Sequence, residues 1–265
     1  MIVVYSINSS GTTWLNKLFG IVLGDGRSVA EPFSPNAWGQ FKTDKGYLEV
    51  INRNADLRGR WIGRNEQLTD RHNDGLTELF DAALQRWPKM VSMKTLDFSY
   101  WEFMEQYFGE VKFIRLTRDF EGWLSCIARK GKRSKWYSDY FYYPVDEPTP
   151  WWLATEEYCT EKRIRSFERN LIRAAMFYQY AERWYDEHQP KERYDTSFEL
   201  LSTNWDVEPQ KIMDYCGLPQ VSTSTLHEWA GIVPRSWDQS SYDALQVSRI
   251  AGEVVEWLEC RLPSS

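Results

Sequence analysis

The sequence predicts a single α/β domain spanning residues 1–265, with a central parallel sheet flanked by helices. Three observations carry that prediction. Apolar, β-type runs recur at residues 2–7, 89–93 and 111–116, and each is followed by a segment of helical spacing. Strands that alternate with helices imply a parallel sheet covered on both faces. The chain has 265 residues, enough to bury a substantial core, and it carries no internal repeat and no low-complexity linker.

The elements follow in order. Residues 12–23 read as the first helix, stopped near Gly24-Asp25-Gly26. Residues 28–30 are a short strand leading into Glu31-Pro32-Phe33, and residues 34–73 read as irregular, rich in Asn, Gly and Arg. Helical spacing of Leu76, Leu79, Phe80, Ala83 and Leu84 predicts a helix over 74–87. A buried strand over 89–93, an aromatic amphipathic helix over 98–108, a strand over 111–116 and a helix over 120–129 come next. Residues 131–155 read as a lid or acceptor-site insertion, with Pro144, Pro148 and Pro150 among many aromatics. One long helix is expected over 155–187, a last short strand at 193–195, and helices thereafter, the closing one over 242–262.

Composition narrows the function. Hydrophobic content of 42% and charged content of 26% are those of an ordinary globular protein. A formal charge of −6 argues against a general nucleic-acid binder, so an anionic ligand needs a local basic site. No run is long and apolar enough to cross a membrane, and strand-like residues begin at position 2 without a leader pattern. Cys126, Cys159, Cys216 and Cys260 are scattered without metal or disulfide spacing. A cytoplasmic location with reduced thiols is the expectation.

The chemistry begins where the first strand ends. Residues 2–7 run into Asn8-Ser9-Ser10-Gly11-Thr12-Thr13-Trp14-Leu15, a strand, a small polar loop with one glycine, and a helix start. The N–H groups at a helix N-terminus have no intrahelical partner and form a ready anion cradle. Thr12 and Thr13 add hydroxyl donors. The loop is not a Walker A sequence, because Thr12 stands where that motif has Lys. Ser10 to Leu15 resembles instead the 5′-phosphosulfate loop of sulfotransferases, commonly written PKSGTTWL. The resemblance implies a P-loop NTPase-like sulfotransferase fold. It also implies 3′-phosphoadenosine 5′-phosphosulfate (PAPS) as donor, held at Ser9, Ser10, Gly11, Thr12, Thr13 and Trp14, and adenosine 3′,5′-bisphosphate as product. Ser9 departs from the family, which has Lys or Arg there beside the leaving phosphate.

Further segments extend the resemblance along the chain. The strand over 111–116 delivers Arg118, with Ser125 seven residues on. This is similar to the family's 3′-phosphate motif, an Arg-Asp-Pro followed by Ser at the eighth place. Here Phe120 replaces the Pro and Cys126 fills the eighth place. An Arg fork and a Ser hydroxyl suit a phosphate. Two anion sites on consecutive edge loops suit a nucleotide charged at both its 5′ and 3′ ends.

Met93-Lys94-Thr95-Leu96-Asp97 resembles the family's Lys-Thr-His segment and its Lys-x-Pro segment, which gives Lys94 the role of stabilising the sulfuryl oxygens. Leu96 occupies the place of the family's His. The base must come from elsewhere. Ala30-Glu31-Pro32 resembles the Glu-Pro segment of carbohydrate sulfotransferases, so Glu31 is the candidate base and Asp97 its runner-up.

Late in the chain, Arg193-Tyr194-Asp195 followed by 212–219 resembles the family's Tyr-Glu-Asp-Leu and Phe-Leu-Gly-Leu segments, which puts Tyr194 near the adenine. Arg235, in Val233-Pro234-Arg235-Ser236-Trp237, is a candidate for closing over the nucleotide. The basic run over 129–135 can steer an anion toward the site. His72, His188 and His227 have no motif context and are read as surface residues.

The expected activity is transfer of a sulfuryl group from PAPS to a hydroxyl of a small-molecule or carbohydrate acceptor, without nucleic acid, membrane or metal. Two alternatives stay open: a P-loop kinase using ATP, and a non-catalytic nucleotide- or glycan-binding relic of the fold. Trp136, Tyr137, Tyr140 to Tyr143, Trp151 and Trp152 line the acceptor side in one reading and form core in the other.

Overall fold

The computed structural model describes residues 1–7, 10–33, 44–54, 70–96, 100–133, 150–164, 167–232 and 244–261. The predicted parallel sheet is present. Strands β1 (Ile2–Ser6), β2 (Ser28–Ala30), β3 (Ser92–Leu96), β4 (Lys112–Thr117) and β5 (Arg193–Ser197) form one five-stranded sheet in the order β2-β3-β1-β4-β5. Every neighbouring pair is parallel. All residues of β1 are buried, which is why this strand is continuously apolar instead of alternating.

The described helices are α1 (Thr12–Leu23), α2 (Lys45–Arg53), α3 (Asp70–Arg86), α4 (Trp101–Phe108), α5 (Phe120–Arg133), α6 (Pro150–Glu161), α7 (Phe167–Glu187), α8 (Phe198–Thr203), α9 (Glu208–Cys216), α10 (Thr223–Gly231) and α11 (Ala244–Glu259). The chain divides into two compact units. One comprises residues 1–117 and 189–233, the other residues 118–188 and 234–265.

The first unit holds the whole sheet with α1 to α4 and α8 to α10. The order of connection in the sheet reverses beside β1. The connection out of β1 runs to β2 on one side, while β4 neighbours β5 on the other. In open parallel sheets the crevice at such a switch point, outside the carboxyl ends of the strands, is where ligands bind. The connection from β1 to α1 leaves the sheet at that end.

The second unit is helical. Within it α6 is tied to α11 by the Tyr158 hydroxyl on Glu253 Oε2 (3.1 Å) and the Trp257 indole N–H on Glu161 Oε2 (3.0 Å). Arg249 joins α11 to α7 by pairing with Glu168, and it also pairs with Glu253 on its own helix.

Several expectations shift on contact with the structure. α2 lies inside the stretch read as irregular. The Asp44 carboxylate caps it by accepting from the Tyr47 N–H (3.1 Å), and Tyr47 and Ile51 form its buried side. The strand expected over 89–93 begins later, at Ser92, because a turn in which the Met90 N–H reaches Trp87 O (2.9 Å) first closes α3. The single helix expected over 155–187 is two helices. The Ile164 N–H returns to Cys159 O (2.9 Å) and the Arg163 N–H to Thr160 O (3.2 Å), with Arg163 left-handed at φ 55°. This is a Schellman stop made without glycine, so the period shows no break in the letters. Helix also begins at Pro150, inside the segment expected to be a lid, whose residues 134–149 lie outside the described residues.

Candidate active site

The loop after β1 is shaped by Gly11. This residue sits at φ 97°, a left-handed conformation that costs an L-residue with a side chain about 1–2 kcal/mol. A Cβ placed on it would meet the Phe198 ring at 2.7 Å. The Gly11 carbonyl accepts from the N–H groups of Trp14 (2.9 Å) and Leu15 (3.3 Å). A planar trans peptide carries its C=O and N–H on opposite sides. Since the Gly11 carbonyl points into the first turn of α1, the Thr12 N–H points out of it, toward the place an anion would occupy.

Ser10 precedes this turn. Its hydroxyl is fully buried and has no hydrogen-bond partner among the described residues. Gly11→Ala is therefore expected to lower stability by about 1–3 kcal/mol and to weaken anion binding at the loop. Gly20→Ala, in the same helix with open space around the new methyl, is expected to be neutral or slightly stabilising. Denaturant unfolding with calorimetric titration of both variants checks the contrast.

Lys94 and Glu31 meet Thr13 at this end of the sheet. Ala30 pairs with Lys94 across β2 and β3, and the register continues one residue further through the Glu31 N–H on Lys94 O (2.7 Å). The Lys94 side chain then folds back over the same pair. Its ammonium donates to Glu31 Oε1 at 2.5 Å and to Thr13 Oγ1 at 2.8 Å. Lys94 is 4% exposed although it is a lysine, a rare placement unless the charge is paired. An ammonium has three donors, and the third has no partner among the described residues.

Glu31 itself is left-handed at φ 51°, which a non-glycine residue adopts at a cost and which recurs at functional sites. The segment after it is anchored. The Tyr47 hydroxyl donates to Pro32 O, and Phe33 packs edge-on against Phe80 at 4.8 Å. Tyr47 is a part of this site that sequence reading missed, and burial raises its hydroxyl pKa. Asp44 before a Tyr47/Ile51 spacing was the available signal for its helix.

Of the predicted site residues, the structure brings together Ser10, Gly11, Thr12 and Thr13 with Lys94 and Glu31. The Trp14 ring is turned inward, its indole N–H donating to Trp229 O at 3.1 Å. Lys94 lies within β3 and not after it. Tyr194 is the second residue of β5, three before the carboxyl end. Its hydroxyl donates to Glu208 Oε1 at 3.0 Å, and burial, reinforced by that carboxylate, raises its pKa.

In the second unit, Arg118 is 6% exposed and its carbonyl accepts from the Tyr178 hydroxyl. The neighbouring Asp119 caps α5 through the Gly122 N–H (2.7 Å), and Ser125 is half-buried on that helix. Ser9, Asp97 and Arg235 lie outside the described residues. Burial pushes the Cys159 thiol up and the Cys216 thiol up to about 12, so neither supplies a thiolate near neutral pH.

No protein-family model and no curated protein matches the chain by sequence. Solved structures similar to it include two sulfotransferases. One is the sulfotransferase STF9 from Mycobacterium avium, at 10% identity and TM-score 0.48, over 96% of this chain and 76% of that one. The other is the sulfotransferase domain from the curacin biosynthetic pathway, at 10% identity and TM-score 0.41, over 100% of this chain and 92% of that one. No described helix is long and apolar enough to cross a membrane.

Proposed function

We propose that the protein is a PAPS-dependent sulfotransferase that acts on a hydroxyl of a small-molecule or carbohydrate acceptor. The observation that carries this reading is the ammonium of Lys94, shared between Thr13 on the phosphate loop and the Glu31 carboxylate. It joins an anion cradle, a buried cation and a carboxylate at one end of a parallel sheet. Those are the parts that in-line transfer of an anionic group requires.

In the proposed step the acceptor oxygen attacks sulfur as its proton passes to Glu31. The bond from sulfur to the bridging phosphate oxygen breaks, and adenosine 3′,5′-bisphosphate leaves with the electron pair. Lys94 meets the charge that develops on the bridging and sulfuryl oxygens, and supplies the cation that Ser9 does not. Arg118 and Ser125 are assigned to the 3′-phosphate on the sequence argument alone. The four free cysteines fit a reducing cytoplasm.

Calorimetric titration with adenosine 3′,5′-bisphosphate, ADP and ATP tests the donor. The bisphosphate is expected to bind clearly more tightly than either of the others and to raise the melting temperature most, by mass action on the native state. Equal binding of all three removes the dedicated 3′-phosphate site. Preference for ATP with Mg²⁺ favours the kinase alternative.

A further inference from the structure

The phosphate loop is held from a part of the chain more than 200 residues away: Trp229 lies 215 residues after Trp14 and clasps it. The two indoles stack at 4.1 Å between centroids and 6° between planes. Each donates its ring N–H to the other's main-chain carbonyl: Trp14 Nε1 to Trp229 O at 3.1 Å, and Trp229 Nε1 to Trp14 O at 2.9 Å. Trp229 is fully buried and Trp14 is 5% exposed. Phe198 packs on Trp14 at 5.6 Å and stands where a Cβ on Gly11 would project.

The pair does more than fill space. The Trp229 carbonyl lies in the last turn of α10, where it accepts both the Ile232 N–H (3.1 Å) and the Trp14 indole N–H. Trp14 in turn donates its own main-chain N–H to Gly11 O at 2.9 Å. That bond fixes the plane of the Gly11–Thr12 peptide, and so the direction of the Thr12 N–H. A line of hydrogen bonds thus runs from α10 through Trp14 to the Gly11–Thr12 peptide.

We infer that Trp229 is a positioning residue for the phosphate loop, acting through Trp14 to hold the Thr12 N–H in its anion-binding direction. The inference rests on the proposed donor site only for the identity of the anion. Removing one indole donor without removing the ring loosens the loop's first turn and weakens binding, while the rest of the fold stays intact.

Trp229→Phe and Trp14→Phe each delete one of the two N–H donors. Trp205→Phe, a tryptophan of the same unit set against His227, is the control. Two readouts are taken well below the melting temperature: amide hydrogen exchange over residues 10–18 of the free protein, and the Kd for adenosine 3′,5′-bisphosphate.

Each clasp variant is expected to exchange faster at the loop and to bind about three- to tenfold more weakly, the range for one lost hydrogen bond. The control is expected to leave both unchanged. A clasp variant that melts lower but keeps wild-type loop exchange and wild-type Kd overturns the inference, and the pair is then core packing only. If the wild-type protein does not bind the bisphosphate, the donor reading fails by itself and loop exchange alone decides the brace. If neither Phe variant folds, exchange in the wild type decides. The inference expects the hydrogen-bonded Trp14 and Leu15 amides to exchange only with global unfolding, and exchange by local fraying overturns it.

Discussion

Glu31→Gln is expected to lower turnover by about 10²–10⁴-fold, the usual contribution of a general base, with the Kd for the bisphosphate close to wild type. The substitution keeps the shape of the side chain and leaves a neutral amide oxygen to accept from the Lys94 ammonium, so the ion pair becomes a single-charge hydrogen bond and the loop geometry survives. What disappears is the acceptor for the hydroxyl proton. Steady-state kinetics with PAPS and a working acceptor, paired with calorimetry, separate the two effects. Asp97→Asn is the comparison. Near-full turnover in Glu31→Gln alongside inactivity in Asp97→Asn would transfer the role to Asp97.

Lys94→Ala is expected to cut turnover by about 10²–10³-fold, the cost typical of losing one preorganised group that stabilises developing negative charge. The same change takes the partner from the Glu31 carboxylate and the donor from Thr13 Oγ1, since both bonds come from one ammonium. The variant therefore also melts lower. Lys94→Arg is not expected to rescue turnover. A planar fork does not fit a position that is 4% exposed and that serves two acceptors on different elements. Comparing kcat, Kd and melting temperature across the two variants distinguishes lost chemistry from lost packing.

The letters carried the first elements of the chain well, because their stop and start signals are local. The helix read over 12–23 and the short strand over 28–30 match α1 and β2 at both ends. The glycine and proline punctuation around them sits where the chain physically turns. Glu31 and Lys94 were legible as separate candidates. Their pairing was not, because it depends on the β2–β3 register, which brings together residues 63 apart.

The helix over 155–187 was read through its stop because Arg163 takes the left-handed position that glycine usually marks. The strand that carries Lys94 was placed too early because the apolar run at 90–93 includes the turn that ends α3. Trp229 carried no signal at all. Its partner lies 215 residues away, and its own helix shows only that it faces inward. Many of the described rings fill the interior, among them Trp123, Trp229, Tyr5 and Tyr158.

The central claim is that the Thr13–Lys94–Glu31 cluster serves sulfuryl transfer from PAPS. The measurement that tests it most directly follows a radiolabelled sulfuryl group from PAPS into a panel of sugars, phenols and aliphatic alcohols, with adenosine 3′,5′-bisphosphate quantified in the same reactions. The account predicts labelled product from at least one acceptor, one bisphosphate released per label transferred, and loss of both in Lys94→Ala. Contradiction would be γ-phosphate transfer from ATP to the same panel with Mg²⁺ present and no label transferred from PAPS.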